Sequence, residues 1–333
     1  MTMALAIIPL LAAAKEAPMS ARPDSPTELA SGYGRRLTFS PDGHTLAAVD
    51  RSALFLFRDF ALQHEERSAA VLAGACFASD GKRLFASPEI YDIAAGRWQS
   101  APPLPVLAGL PPDADAERSF EVQAAATSPD GELLVVGVGY RPPRGRTAAV
   151  RYTGPTRRLL LLRAASREIV GALADNPGSG EWRAVAIGER AIAATGGAIG
   201  IWDRKSLAKL AELTQHRGAI RDLAFSPDGK WLASASSGAD RLVVLWDTAT
   251  WKAVRSFEAH KEGVLALAFH PRQPLLASAG GDGAVKLWSL VDGKLARTFA
   301  GKGPIEGIAW SQAGDRLTVA EGGAHRLLVY PFK

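Results

Sequence analysis

The chain has 333 residues, of which 47% are hydrophobic and 22% charged, a globular composition long enough for one large domain or two ordinary ones. Its single cysteine, Cys76, excludes an internal disulfide framework and a metal site built from several cysteines. The formal net charge of +5 favours anionic partners without naming one.

The first segment, residues 1–14, reads MTMALAIIPLLAAA. This apolar run is too short to span a bilayer as a helix, and it is typical of the apolar core and small-residue end of a secretory signal peptide. A buried N-terminal strand is the alternative. We predict that residues 1–22 are a signal peptide and linker. This would make the protein periplasmic or secreted, whereas an uncleaved segment would leave it cytoplasmic.

Seven strand–turn–strand units follow this segment. The last apolar residues of their first strands are Phe39, Phe77, Thr127, Ile187, Phe225, Phe269 and Trp310. Ser-Pro-Asp-Gly follows three of them, at 40–43, 128–131 and 226–229. Pro presets φ for the turn, Asp caps it and Gly accepts a positive φ, so each tetrapeptide predicts a turn between two antiparallel strands.

Two segments exceed the repeat. Residues 99–120 join the second and third units and contain five prolines, which predicts a partly extended loop. Residues 139–157 lie between the second and third strands of the third unit and are rich in arginine. Long loops in compact domains are either functional or disordered, and both interpretations stay open here.

Two tandem segments within 216–288 are alike. The first contains Phe225-Ser-Pro-Asp-Gly, Leu232-Ala-Ser and Leu245-Trp-Asp, and the second contains Phe269-His-Pro, Leu276-Ala-Ser and Leu287-Trp. A self-similar unit of about 40 residues ending near Trp-Asp is typical of a four-stranded propeller blade. The chain therefore resembles the WD-repeat family of β-propellers, most strongly over residues 182–314.

The resemblance implies an all-β fold, a single seven-bladed β-propeller over residues 23–333 with four-stranded antiparallel blades. The last blade has room for only three strands before Lys333. We predict that an N-terminal strand closes the ring, with residues near 25–30 paired with residues near 325–330, because closure removes an exposed sheet edge.

The resemblance also implies a buried hydrogen-bond chain in two blades. The matching residues are His216, Ser234, Asp240 and Trp246, and then His260, Ser278, Asp282 and Trp288. A Ser-His-Asp set invites comparison with a hydrolase. We reject that interpretation because the same set occurs twice, as a structural device does, and we predict no catalytic residue. The first, second, third and seventh blades lack the set and are expected to rest on apolar packing alone.

No metal or cofactor site is predicted. The six histidines are scattered, and no Gly-rich loop opens a helix that could bind a phosphate. The chain is therefore expected to be neither a metalloprotein nor an enzyme.

The predicted partner-binding site lies on the narrower face of the ring. In this family the position four residues before each phasing residue points to that face. Here those residues are Arg35, Ala73, Gln123, Arg183, Arg221, Leu265 and Glu306, with Trp182 and Arg217 nearby and Arg141, Arg144 and Arg146 in the long loop. Arginine and aromatic residues are enriched in binding hot spots, although three arginines in seven positions also fit chance in an arginine-rich chain.

We therefore predict a non-enzymatic scaffold that captures an acidic segment of a protein partner. One alternative is a binding module for an anionic envelope polymer or nucleic acid. Nucleic acid is the weaker variant, because basic stripes with interleaved aromatics are absent. A propeller hydrolase with a central-channel site and a periplasmic accessory propeller of an envelope machine are further alternatives. The sequence predicts no transmembrane segment and no particular oligomeric state.

Overall fold

The computed structural model describes residues 26–29, 34–50, 53–68, 75–78, 80–86, 89–99, 120–140, 157–164, 166, 168–173, 181–322 and 326–332. Within these residues there are 28 strands and no helix. In chain order the strands are Thr27–Leu29 (β1), Arg36–Phe39 (β2), Thr45–Asp50 (β3), Ala53–Arg58 (β4), Ala61–Arg67 (β5), Cys76–Phe77 (β6), Arg83–Ala86 (β7), Glu89–Asp92 (β8), Arg97–Gln99 (β9), Phe120–Thr127 (β10), Leu133–Tyr140 (β11), Arg157–Arg163 (β12), Ile169–Leu173 (β13), Ala184–Ile187 (β14), Ala191–Thr195 (β15), Ile199–Asp203 (β16), Lys209–Leu213 (β17), Ala219–Phe225 (β18), Trp231–Ser237 (β19), Leu242–Asp247 (β20), Ala253–Glu258 (β21), Val264–Phe269 (β22), Leu275–Gly280 (β23), Ala284–Ser289 (β24), Leu295–Ala300 (β25), Ile305–Trp310 (β26), Arg316–Glu321 (β27) and Arg326–Pro331 (β28).

These strands form seven antiparallel sheets of four strands each. Six blades are consecutive in the chain, from β2–β5 in blade one to β22–β25 in blade six, and blade seven has the order β1-β28-β27-β26. The first strands of the blades contact one another in sequence around a ring, and β26 contacts β2 to complete it. The predicted seven-bladed β-propeller is confirmed.

The predicted phasing of the blades is also confirmed, because each inner strand ends at its phasing residue. The turns that follow are held by their own side chains. In blade five the Trp231 N–H donates to Ser226 Oγ at 2.9 Å, and Ser226 Oγ donates to Asp228 Oδ1 at 2.6 Å. Gly229 has a φ of 67°, which only glycine adopts without strain. The Ser-Pro-Asp-Gly sequence therefore fixes the direction of the second strand.

Ring closure occurs at the place that the sequence indicated. Strand β1 pairs with β28 in antiparallel register, with Thr27 opposite Val329 and Leu29 opposite Leu327. Leu29 is buried between blades one and seven. The Arg326 guanidinium reaches Glu28 at 3.3 Å and adds a polar contact across the same pair of strands. The closing strand is thus held by backbone pairing, apolar packing and charge together.

The hydrophobic core lies between the blades rather than within any one of them. The cluster containing Leu287, Trp310 and Tyr330 joins blade six to blade seven, and that containing Leu46, Phe57 and Leu327 joins blade one to blade seven. Each blade face therefore packs on its neighbour, as alternating apolar strands require. The result is a stiff ring whose ends carry the loops.

Blade seven corrects one expectation. Apolar packing alone was predicted there, but Glu321 at the end of β27 is fully buried. Its carboxylate accepts hydrogen bonds from the N–H groups of Lys302 and Gly303 and from the Arg326 guanidinium. The prediction was wrong because the loop entering β26 must be tied down, as the loops entering blades five and six are. Here the anchoring carboxylate comes from a different strand position.

Candidate functional site

One end of the ring, which we call the upper face, carries the loops that enter the first strands and the loops between second and third strands. Four of the predicted face residues occupy a backbone bulge there. The pairing of first and second strands skips one residue in each of blades three, five, six and seven, and those residues are Gln123, Arg221, Leu265 and Glu306. A bulge re-aims the side chain of the extra residue. The bulges therefore set these four side chains apart from the strand ladder.

Three exposed arginines lie together on the upper face of blades four and five, and we call them the basic sector: Arg183, Arg217 and Arg221. The Arg217 N–H donates to Asp240 at 2.8 Å, which fixes its backbone, and Arg221 Nε donates to Ser237 Oγ at 2.8 Å. None of the three forms an ion pair with an acid in the part of the chain that the structure describes. Their charges are therefore available to an external anion.

Arg35 differs from the basic sector because acids surround it. Its Nε lies 3.1 Å from Glu306 and 3.8 Å from Asp50. Glu306 belongs to blade seven, so this ion pair spans the closure of the ring. Gly307 also leaves room for the Arg35 backbone, since a Cβ there would lie 2.5 Å from the Arg35 oxygen. Arg35 and Glu306 thus neutralise each other at the seam between the first and last blades.

The structure places Trp182 under the upper face rather than on it. Only 2% of Trp182 is exposed, and its ring packs with the core between blades three and four. The Trp182 backbone N–H donates to Gln123 Oε1 at 2.9 Å, so the predicted face residue Gln123 spans two blades. Trp182 is therefore not exposed to a partner, because its aromatic ring fills the space between the two blades. It supports the loop that presents Arg183.

Gly137 makes the Trp182 position testable. A Cβ at Gly137 would lie 2.7 Å from Trp182 Cγ, whereas a Cβ at Gly197 would meet nothing within 4 Å. Neither glycine has a positive φ. We expect Gly137→Ala to lower the free energy of unfolding by about 1–3 kcal/mol, the usual cost of overpacking. Gly197→Ala is the matched control and should change it little, and equal effects in urea unfolding would contradict this packing.

Some predicted face residues lie outside the described part of the chain. Arg141, Arg144 and Arg146 follow the end of β11 at Tyr140 and precede β12, which begins at Arg157. Ala73 is also outside it. The position of the arginine-rich segment between the second and third strands of blade three follows from those strand bounds, and its role stays a prediction.

The two predicted hydrogen-bond chains are present. In blade five, Trp246 Nε1 donates to Ser234 Oγ at 2.8 Å, Ser234 Oγ lies 2.7 Å from His216 Nε2, and His216 Nδ1 lies 3.1 Å from Asp240. In blade six the corresponding distances are 2.9, 2.8 and 2.8 Å, along Trp288, Ser278, His260 and Asp282. The hydroxyl proton goes to Nε2, which makes each imidazole a neutral Nδ1–H tautomer that donates to its carboxylate.

The charges in these chains agree with a neutral histidine and an ionised acid. Burial lowers the pKa of both His216 and His260. Burial alone would raise the pKa of Asp240, but hydrogen bonds from Ser236, from the Arg217 N–H and from His216 outweigh it and hold that pKa below its usual value. Both serines are fully buried, so no substrate could reach them in this conformation. The two sets act as braces for the loops entering blades five and six.

The central channel contains charges that the sequence did not single out. A cavity of about 250 Å³ is lined by residues of all seven inner strands, including Arg36 and Asp222. Asp222 stands beside Arg221 in an inner strand whose other residues are apolar, and this was the signal that could have revealed it. Among the described residues, no group of three or more histidines, cysteines or acids is placed to hold a metal ion. The same residues contain no helix long and apolar enough to cross a membrane.

Comparison with known proteins identifies the repeat. The WD40 family, described as "WD domain, G-beta repeat", matches residues 207–247 and 251–289. The chain is 33% identical over 121 residues to a p21-activated protein kinase-interacting protein 1-like protein of Xenopus laevis, which covers 36% of this chain and 32% of that protein. It is 35% identical over 115 residues to the WD repeat and SOCS box-containing protein 1 of Mus musculus, which covers 33% of this chain and 27% of that protein.

The fold and the two braced blades thus define a propeller scaffold. Its upper face carries four bulged residues and the three arginines of the basic sector. The matched repeats cover the outer strand of blade four, all of blade five and the first three strands of blade six. The resemblance to the WD-repeat family is confirmed over these residues, and the chain is a seven-bladed β-propeller that contains two WD repeats. The match spans about a third of the length of these relatives.

Proposed function

We propose that this propeller is a non-enzymatic scaffold for protein–protein interaction. The observation that carries the proposal is the basic sector: three exposed arginines without acidic partners among the described residues, at the upper ends of the inner strands of blades four and five. The names of the relatives refer to an interacting protein and to a WD-repeat protein, which agrees with such a role. Preformed loops lose little entropy on binding, so they suit capture of a partner.

The partner segment is acidic. Arginine pairs with a carboxylate through two parallel hydrogen bonds, and three guanidinium groups on adjacent blades suit a segment with several Asp or Glu residues. Arg35 adds less to this site, because it lies at the seam of blades one and seven and Glu306 already neutralises its charge. The Arg-rich segment 139–157, between the second and third strands of blade three, adds positive charge by sequence.

The experiment is affinity capture followed by mass spectrometry, with three proteins in parallel. They are the wild type, Arg183/Arg217/Arg221→Glu, and a control Arg97/Arg190/Arg272→Glu. The control arginines are also exposed, but they lie away from the upper face, in the outer strand β9 or in turns at the opposite end of the ring. The two triple variants change the net charge equally.

We expect a partner with an acidic segment to bind the wild type and the control and to be lost from the basic-sector variant. Circular dichroism must show that all three proteins are folded. A partner that remains on the basic-sector variant would contradict the proposed site, because the altered charges would then not contact it. A partner lost equally from both variants would indicate binding to overall charge only.

A further inference from the structure

The channel cavity is small and bears charges of both signs. At about 250 Å³ it holds roughly eight water molecules, and it is smaller than the ~300–1,000 Å³ of common ligand pockets. Four charged residues line it, and the two that lie at its mouth, Arg35 and Glu306, pair with each other at 3.1 Å. Arg36 and Asp222 are left as the charges that a ligand inside the cavity would meet.

Arg36 presents an unused guanidinium to the channel. It is exposed at the start of β2, and it makes no hydrogen bond or ion pair within the part of the chain that the structure describes. Its charge acts on Asp222: burial raises the pKa of that carboxyl, and the positive charge of Arg36 offsets part of the rise. A guanidinium of this kind offers five donors in a planar fork that matches a carboxylate.

Asp222 is held rigidly on blade five. Its Oδ1 accepts from the Leu223 N–H at 3.0 Å, and its Oδ2 accepts from the Leu267 N–H of blade six at 2.8 Å. Each carboxylate oxygen has two acceptor sites, so one on each oxygen remains open. A half-buried carboxylate with no directly bonded cation is stabilised by a positively charged donor, and an ammonium group provides three such donors.

We propose that the channel binds a small zwitterion, a molecule with a carboxylate for Arg36 and an ammonium group for Asp222 joined by a short aliphatic chain. The wall between the two charges suits that chain, since Ala126, Val185 and Ile308 line it. The four charges of the wall sum to zero, so a zwitterion enters without leaving an unbalanced charge, whereas a simple anion or cation does not. This site is independent of the partner on the basic sector.

The test is isothermal titration calorimetry of the full chain with ω-amino acids from glycine to 8-aminooctanoate. We expect binding to pass through an optimum of chain length, because the strands fix the spacing between Arg36 and Asp222. For the best member, the matched alkanoate and the matched alkylammonium should bind roughly ten- to a hundredfold more weakly, as each lacks one charge-assisted contact. No binding by any member up to ~10 mM would overturn the proposal.

Two variants locate the site. Arg36→Gln and Asp222→Asn should each weaken the best zwitterion roughly tenfold or more, while Arg97→Gln on the outer strand β9 should not change its affinity. Arg36 bonds to no other described residue, so its variant keeps the test valid even if Asp222→Asn perturbs the fold. A zwitterion whose affinity is unchanged in Arg36→Gln would also overturn the proposal, since it would be bound elsewhere.

Discussion

Replacing Trp288 with Ala is expected to lower the free energy of unfolding by about 3–5 kcal/mol, the usual loss for a buried aromatic residue. Trp288 is 9% exposed, packs against Phe257 with ring centroids 4.3 Å apart, and fills the space between blades five and six. Its Nε1 also donates to the buried Ser278 hydroxyl at 2.9 Å. Both packing and a buried hydrogen bond are lost, and urea unfolding measures their sum.

A tryptophan without the hydrogen bond separates these two contributions. Trp202 occupies the corresponding place in blade four, is 4% exposed, and its Nε1 has no partner among the described residues, because Ala194 stands at the position of Ser278. We expect Trp288→Phe to cost about 1 kcal/mol more than Trp202→Phe, the net contribution of one buried hydrogen bond. Equal costs would show that the hydrogen-bond chain adds nothing to stability.

Stability is expected to fall as the pH drops from 7.5 to 5.5. Burial lowers the pKa of His216, His260 and His270 in the folded protein. Below the unfolded-state histidine pKa of about 6.5, the unfolded chain binds more protons than the folded chain, so unfolding is favoured. Each histidine then lowers the free energy of unfolding by at most about 1.4 kcal/mol per pH unit, and the three together lower it by at most about 4 kcal/mol per pH unit.

The carboxylates act in a separate, more acidic range. Hydrogen bonds hold the pKa of Asp240 and Asp282 below the usual value despite burial, so their stabilisation is present above about pH 4 and is lost as the pH falls through their folded pKa. Urea unfolding at several pH values between 7.5 and 5.5 therefore reports on the histidines, where exposed His44, whose pKa Asp59 raises, acts in the opposite direction to the three buried ones. A free energy of unfolding that stays constant over this range would contradict neutral, buried imidazoles.

His270 offers a control for that measurement. Its Nε2 donates to the Gly314 carbonyl at 2.9 Å, and its Nδ1 accepts from the Arg272 and Gln273 N–H groups. Four other blades have serine at this position, as at Ser226, where the hydroxyl holds the same turn. His270→Ser should therefore reduce the dependence of stability on pH by about a third, whatever its effect on stability at neutral pH.

Much of the fold was predictable because the turns repeat. Ser-Pro-Asp-Gly places the end of three inner strands, since the local chemistry of a tight turn depends on neighbouring residues only. Ring closure was predictable for a related reason: blade seven has three strands before Lys333, and a sheet edge must be paired. These are short-range or counting arguments, and the strand bounds bear them out.

The site was predicted less completely because its features depend on contacts between distant residues. The sequence placed Arg35 on the face but gave no sign that Glu306, from the far end of the chain, would neutralise it. Trp182 fits a surface hot spot by composition, and only packing against Gly137 shows that the ring is buried. Glu321 and Asp222 were missed because each carboxylate accepts hydrogen bonds from backbone N–H groups of another blade or loop, which are distant in the sequence.

Hydrogen exchange on the complex with the captured partner shows which surface of the propeller the partner contacts. If an acidic segment lies on the basic sector, amide exchange should slow in residues 181–184 and 214–222, and the turns at 203–208 and 226–230, at the other end of the ring, should exchange at the same rate with and without the partner. Protection confined to those turns or to the outer strands would contradict the account, because the partner would then bind a surface that the arginines do not reach.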